Sequence, residues 1–258
     1  MSTAALTRGG TLVGTVATGV GGTPTGGTLP GGTLTGALAS APALAWPSGP
    51  HAAAMVRFNL QPTRYMHPSR WAALLPPGSP LPAEGDAAAH RHGSALLLRQ
   101  LGRGARLVTD WQRPEWPLAV LPQPAWTRLL HRLGLVVVQR ALRHTVRGEV
   151  LRGLAAQVGE PEIAWARSQA PALAAPLEES IAVPADDWPQ RLPLLAAAVL
   201  AHALAAAPVP MRARLMLRAP AAPPPRADLG ATRAAWALAR TLLDEMEPAW
   251  RSSFPASR

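Results

Sequence analysis

The chain has 258 residues, no cysteine and a formal net charge of +10. The missing cysteines exclude disulfides and thiolate-ligated metal sites, and fit a reducing compartment without requiring one. All 25 basic side chains are arginine, so the charge follows from a GC-rich codon usage as readily as from a nucleic-acid target, although it suits any acidic partner.

Residues 1–54 are low in complexity. GGTL recurs at Gly9, Gly26 and Gly31, and Arg8 is the sole charged side chain. Such a segment buries too little apolar surface to offset its backbone entropy. The expectation is a disordered tail, or a mis-assigned start with Met55 as the true beginning. Glycines at 14, 19, 21 and 22 interrupt the one apolar run that would serve as a secretory signal. A helical domain is expected over 55–258.

Val56, Phe58 and Leu60 alternate and read as a short extended piece. Pro68 suits the first turn of a helix that turns Trp71, Leu74 and Leu75 inward. The prolines at 76, 77, 80 and 82 make 76–93 a loop. Ser94 is placed to cap a helix over 95–101, which Gly102 and Gly104 end. Residues 106–125 read as an irregular arm on the surface of the helix that follows.

That helix is the spine of the chain. Residues 126–158 form the longest proline-free stretch in a sequence with 29 prolines. Trp126, Leu130, Leu133, Val137 and Ala141 fall at steps of three and four, on one helical face. Arg128, Arg132, Gln139, Arg143 and Arg147 make a polar stripe that reaches an edge. Between Leu133 and Val138 the helix is apolar nearly all round, which marks a buried turn. Gly134 costs about 1 kcal/mol inside a helix relative to alanine, so another helix should pack closely there. Gly148 and Gly153 divide the stretch into a helix to about Arg147 and a second from about Glu149.

Glu160 and Glu162 favour the start of a short helix over 161–168. Leu177, Ile181 and Val183 suggest another short element. Asp186 or Asp187 caps an alanine-rich helix to Ala207, too short to cross a bilayer of about 30 Å. Met211, Ala213, Leu215 and Leu217 alternate with Arg212, Arg214 and Arg218, a period of two that suggests a strand or extended arm, with a helical turn as the alternative. Asp228 caps a last helix to Glu247 with Trp236, Leu242, Leu243 and Met246 inward. The total is six or seven helices and at most two short strands, a mainly α, single irregular multi-helix domain. Most of the nine tryptophans are expected as core anchors.

Chemistry is thin. His90 and His92 have no third ligand nearby in sequence, and zinc needs three or four. His131 and His144 do not share a face. Glu178-Glu179 and Asp186-Asp187 read as a solvated face and a helix start rather than an acid–base pair. There is no nucleophile elbow and no phosphate-cradling loop. No catalytic, cofactor-binding or metal-binding residue is expected, nor an enzyme. Arg226, Arg233 and Arg240 recur every seven residues, with Trp250 and Arg251 beyond them. They are either a solvated face or a basic docking stripe for a partner.

Three blocks carry a resemblance: FNLQPTRYMHPSRWAALLPP from Phe58 to Pro77, LLHRLGLVVVQRALR from Leu129 to Arg143, and RARLMLRAP from Arg212 to Pro220, followed by the closing helix to Phe254. In this order they resemble the YscK-like (SctK) family, accessory proteins of type III secretion injectisomes. The resemblance implies a mostly helical, non-enzymatic adaptor without cofactors. It implies a place at the cytoplasmic face of the inner membrane, with no direct membrane insertion and no nucleic acid. The implied partners are the cytoplasmic, forkhead-associated-like domain of the inner-membrane ring protein and the C-ring-like core protein of the sorting platform. Through the latter come the stator and ATPase. The tail and the high arginine and proline content depart from the family pattern. A basic helical nucleic-acid-binding or regulatory protein is the alternative, and a small helical enzyme a third reading.

Overall fold

The computed structural model describes residues 49–74, 82–83, 85–144, 148–174, 188–221, 229–249 and 254. All of these lie in one compact unit, Leu44–Arg258. Among the described residues there are eleven α-helices, three short 3-10 turns and no strand. The helices are α1 (Ala52–Leu60), α2 (Trp71–Leu74), α3 (Ala87–Leu101), α4 (Trp116–Val120), α5 (Gln123–His144), α6 (Gly148–Val158), α7 (Glu160–Ser168), α8 (Ala170–Ala174), α9 (Trp188–Ala203), α10 (Val209–Leu217) and α11 (Leu229–Met246). The mainly α class is as the sequence implies.

α5 is the spine. Trp126, Leu129, Leu133 and Leu135 are fully buried, Leu130 is buried and Val137 half-buried. It packs chiefly against α9, with α7, α8 and α11 on its other sides. The α5–α9 contact depends on Gly134. A Cβ there would stand 2.8 Å from both Cγ and the carbonyl oxygen of Leu192. The glycine lets the two backbones approach, as its mid-helix position implies. α5 ends at His144 and α6 begins at Gly148, with residues 145–147 outside the described set.

α9 carries Pro193 in its interior. Proline has no N–H, so the carbonyl of Pro189 loses its intrahelical donor. The rest of α9 is alanine-rich and buried from Leu195 to Leu200 apart from half-buried Ala198. No described helix is long and apolar enough to cross a membrane. Trp116, Trp126 and Trp188 are fully buried, and Trp71 and Trp165 nearly so, as core anchors. A second, small apolar cluster joins Met66, Trp71, Leu97 and Leu217.

Four local expectations are corrected. Residues 56–60 are not extended but lie in α1, which buries Met55, Phe58 and Asn59 at helical spacing. Met55 is inside this helix. The loop expected over 76–93 instead contains the start of α3. Asp86, not Ser94, is its cap, accepting the Ala89 N–H at 2.8 Å. His90 and His92 are therefore on a helix, and Ser94 is buried within it. The arm at 106–125 is not merely superficial: it folds into α4, whose Trp116 is fully enclosed. The alternating segment at 211–217 is α10, a helix. Gly102, with φ of 52°, ends α3 as expected. The element at 177–183, the pair Glu178-Glu179, and the caps Asp186, Asp187 and Asp228 lie outside the described residues.

Candidate functional site

Three arginines that sequence polarity places outside are inside or half-inside. Arg214 is fully buried and Arg218 is 3% exposed. No carboxylate pairs with either among the described residues. Backbone carbonyls take that place. Arg214 donates to the carbonyls of Asn59, Gly104, Ala105, Arg106 and Pro210. Arg218 donates to those of Leu118, Ala119 and Leu121, at 2.9, 3.0 and 2.6 Å. Arg70 donates to those of Ala219 and Pro220, at 2.7 and 3.0 Å. Apart from Pro210, in the first turn of α10, these acceptors lie at or just past the C-terminal ends of α1, of the 3-10 turn Gly102–Ala105, of α4 and of α10. A helix leaves its last four carbonyls unpaired and carries partial negative charge there. A guanidinium supplies five donors and a charge of the right sign. Each arginine therefore joins two needs, its own desolvated charge and several orphan carbonyls.

The aromatic residues complete this node. The Arg218 guanidinium lies 4.3 Å from the centre of the Trp126 ring. The Trp126 indole N–H donates to the Arg218 carbonyl at 3.1 Å. The Tyr65 hydroxyl donates to the Phe58 carbonyl at 2.7 Å. Burial pushes the Tyr65 phenol well above its usual value despite Arg214 and Arg218 nearby, so it stays neutral. Burial pulls Arg218 down to about 10, with Tyr65 opposing, so it remains a cation at neutral pH. The backbone N–H of His67 donates to the Leu217 carbonyl at 2.7 Å. The first and third sequence blocks meet here, and Trp126 brings in the helix that carries the second.

A second polar node ties α5, α7 and α11. Glu162 accepts from Arg128 Nε at 2.6 Å and Arg132 Nε at 2.8 Å. Arg132 Nη1 donates to Glu245 at 2.9 Å, and the Trp165 indole donates to the same oxygen at 3.0 Å. The Arg132 guanidinium also sits 4.4 Å from the Trp165 ring centre. Burial raises Glu162, but the two guanidiniums outweigh it and hold its carboxyl below the usual range. So the expected arginine stripe of α5 is only partly an edge. Arg132 and Gln139 are buried, while Arg128 and Arg143 reach solvent.

Of the expected docking residues, Arg233 and Arg240 are described. Both stand on the side of α11 opposite Ala235, Leu238, Ala239 and Leu242, which face the core. Arg233 is exposed and Arg240 half-exposed. Seven residues place them about 10.5 Å apart along the helix. Asp244 follows on the same face, so the stripe is basic at its start and mixed at its end. Arg226, Trp250 and Arg251 lie outside the described residues. Among the described residues, no group of three or more histidine, aspartate or glutamate side chains could hold a metal ion.

A cleft of about 320 Å³ opens between α1, the turn Pro62–Arg64, α3 and the link from α4 to α5. Arg57, Arg64, Tyr65, His90 and Arg218 are in its wall. Sequence reasoning missed it, since its residues are distant in the chain and none forms a motif.

The family model described as YOP proteins translocation protein K (YscK) matches residues 53–248. The chain belongs to the YscK family. The match takes in the described helices from α1 to α11, save the first residue of α1. This YscK-family chain is thus a component of a type III secretion system, the machinery of protein transport to which the family contributes a structural part. No curated protein and no solved structure matches it. Within the matched span, Arg70, Arg214 and Arg218 close helix ends, and the Trp126 indole bonds the Arg218 carbonyl just past α10.

Proposed function

We propose that the chain is a non-enzymatic structural adaptor required for effector secretion. It links the cytoplasmic domain of the inner-membrane ring to the C-ring-like core of the sorting platform, and through that core to the stator and ATPase. It would work at the cytoplasmic face of the inner membrane, as a peripheral protein. The observation that carries this is the family match over residues 53–248. The fold supports it physically. An adaptor must hold two surfaces at a fixed separation, and ion pairs and arginine–carbonyl bonds cross-link distant helices here. The outer face of α11, with Arg233 and Arg240, is the proposed docking stripe, extended by Arg226, Trp250 and Arg251.

Co-purification of the tagged full chain with the ring's cytoplasmic domain and with the C-ring-like protein tests the reading. Capture of both supports it, and capture of neither at low or moderate salt sinks it. Tight, salt-dependent binding to duplex DNA without either partner would favour a nucleic-acid function instead, because phosphate contacts release counterions.

A further inference from the structure

We propose that the cleft between α1, α3 and the start of α5 is a receptor for acidic side chains on an extended segment of a protein partner. Arg57, Arg64 and Arg218 all line it, and none of its lining side chains is a carboxylate. Arg57 and Arg64 are exposed, and among the described residues neither makes an ion pair. Like charges lining one cleft make its potential positive. A carboxylate that enters it gains charge-assisted hydrogen bonds to the guanidiniums.

Arg218 gives an independent indication. It is 3% exposed, lines the cleft, and its Nε is buried without a hydrogen-bond partner. Its other nitrogens are committed to carbonyls. A buried donor without an acceptor is costly, and such groups call for a reason. A fixed cation in the wall, beside two exposed arginines, adds positive potential from within as well as at the rim. Gln123, the first residue of α5, is also in the wall, so the positive end of that helix adds to the field.

Size and walls choose the occupant. At about 320 Å³ the space is far more than a lone phosphate fills. Phe58 and Leu121 provide apolar wall beside the arginines, suited to the methylenes of a glutamate whose carboxylate reaches a guanidinium. A duplex cannot enter a recess of this size. The site is separate from the α11 stripe and does not rest on the adaptor reading. Failure of the partner capture with this binding intact would sink only that reading.

The test is fluorescence anisotropy of a labelled hexaglutamate peptide with the full chain. Two charge-matched variants are compared, R57E/R64E and R233E/R240E, with circular dichroism to confirm that both fold. The expected result is binding about tenfold weaker in R57E/R64E, from two lost pairs and added repulsion, and little changed in R233E/R240E. The Nε–H signals of Arg57 and Arg64 should also shift in an NMR titration with the peptide. Equal weakening in both variants would mean diffuse charge and overturn the proposal. So would displacement of the peptide by inorganic phosphate at matched ionic strength, or preferential binding of a short DNA duplex that R57E/R64E abolishes.

Discussion

Replacing Gly134 with alanine sets two effects against each other at one atom. The added methyl raises helix propensity, a gain of about 1 kcal/mol. It also lands 2.8 Å from Leu192 Cγ and from the Leu192 carbonyl, where real Cβ contacts do not occur. The carbonyl belongs to the backbone of α9 and cannot rotate away, so α5 and α9 must separate. Overpacking of this kind costs about 1–3 kcal/mol. The net expectation is a loss of about 1 kcal/mol, which lowers Tm by about 2–4 °C for a domain of this size. Gly153→Ala is the matched control. Its Cβ would meet only Pro189 Cγ, at an ordinary 3.5 Å, so the propensity gain stands and Tm should rise. Calorimetry or thermal circular dichroism on both variants reads the sign. If Gly134→Ala stabilised the chain as much as Gly153→Ala, the close approach of α5 and α9 would be wrong.

Further outcomes follow from the two buried nodes and the docking stripe. Arg214→Leu strands carbonyls from three segments and should cost about 3 kcal/mol or more, while Arg214→Lys should recover only part, because an ammonium lacks the planar fork; urea denaturation measures both. Glu162 is held below its ordinary range, so its stabilising effect is complete above the unfolded value of about 4.3 and disappears as pH falls through the lower folded value. Glu162→Gln should therefore lower Tm at pH 7 and flatten the decline of Tm on acidification below about pH 4.3; an unchanged acid limb would mean the pairs with Arg128 and Arg132 are not formed. R233E/R240E should weaken capture of a secretion partner with helix content and Tm nearly unchanged, and intact capture would make the stripe plain solvated surface.

The spine was legible because its pattern is long and its signals agree. Apolar steps of three and four give α5, and a glycine in mid-helix announced the contact with Leu192. The short elements misled where two periods fit the same residues. Val56, Phe58 and Leu60 alternate, yet the residues that α1 buries are Met55, Phe58 and Asn59, and Asn59 is polar. Its amide is satisfied by Val108, whose N–H donates to Asn59 Oδ1 at 2.8 Å and whose carbonyl accepts from Nδ2 at 3.1 Å. No local pattern shows that partner. The same holds for α10. Its inward face is Met211, Arg214 and Leu215, at helical spacing, but a reading that sends arginine outward sees only period two. The start of α3 is hidden by the prolines at 76, 77, 80 and 82, which read as a loop running on past Asp86, the residue that caps the helix.

The candidate surfaces divide similarly. Spacing by seven suffices to put Arg233 and Arg240 on one face of α11. The cleft is built from α1, a 3-10 turn, α3 and the α4–α5 link, and only the fold brings Arg57, Arg64 and Arg218 to one recess. Glu162 was recognised as a helix-start residue, but its bonds to Arg128 and Arg132 reach back to the spine. Charge pairs of that kind depend on the packing of α7 against α5, which composition and spacing do not specify.

A bridge must hold both partners at once, and a ternary assembly shows whether it does. Analytical ultracentrifugation of the full chain with the ring protein's cytoplasmic domain and the C-ring-like protein, singly and together, gives the answer. A bridging chain gives a complex containing all three, larger than either pair. Mutual exclusion of the two partners, or binding of neither, would contradict it.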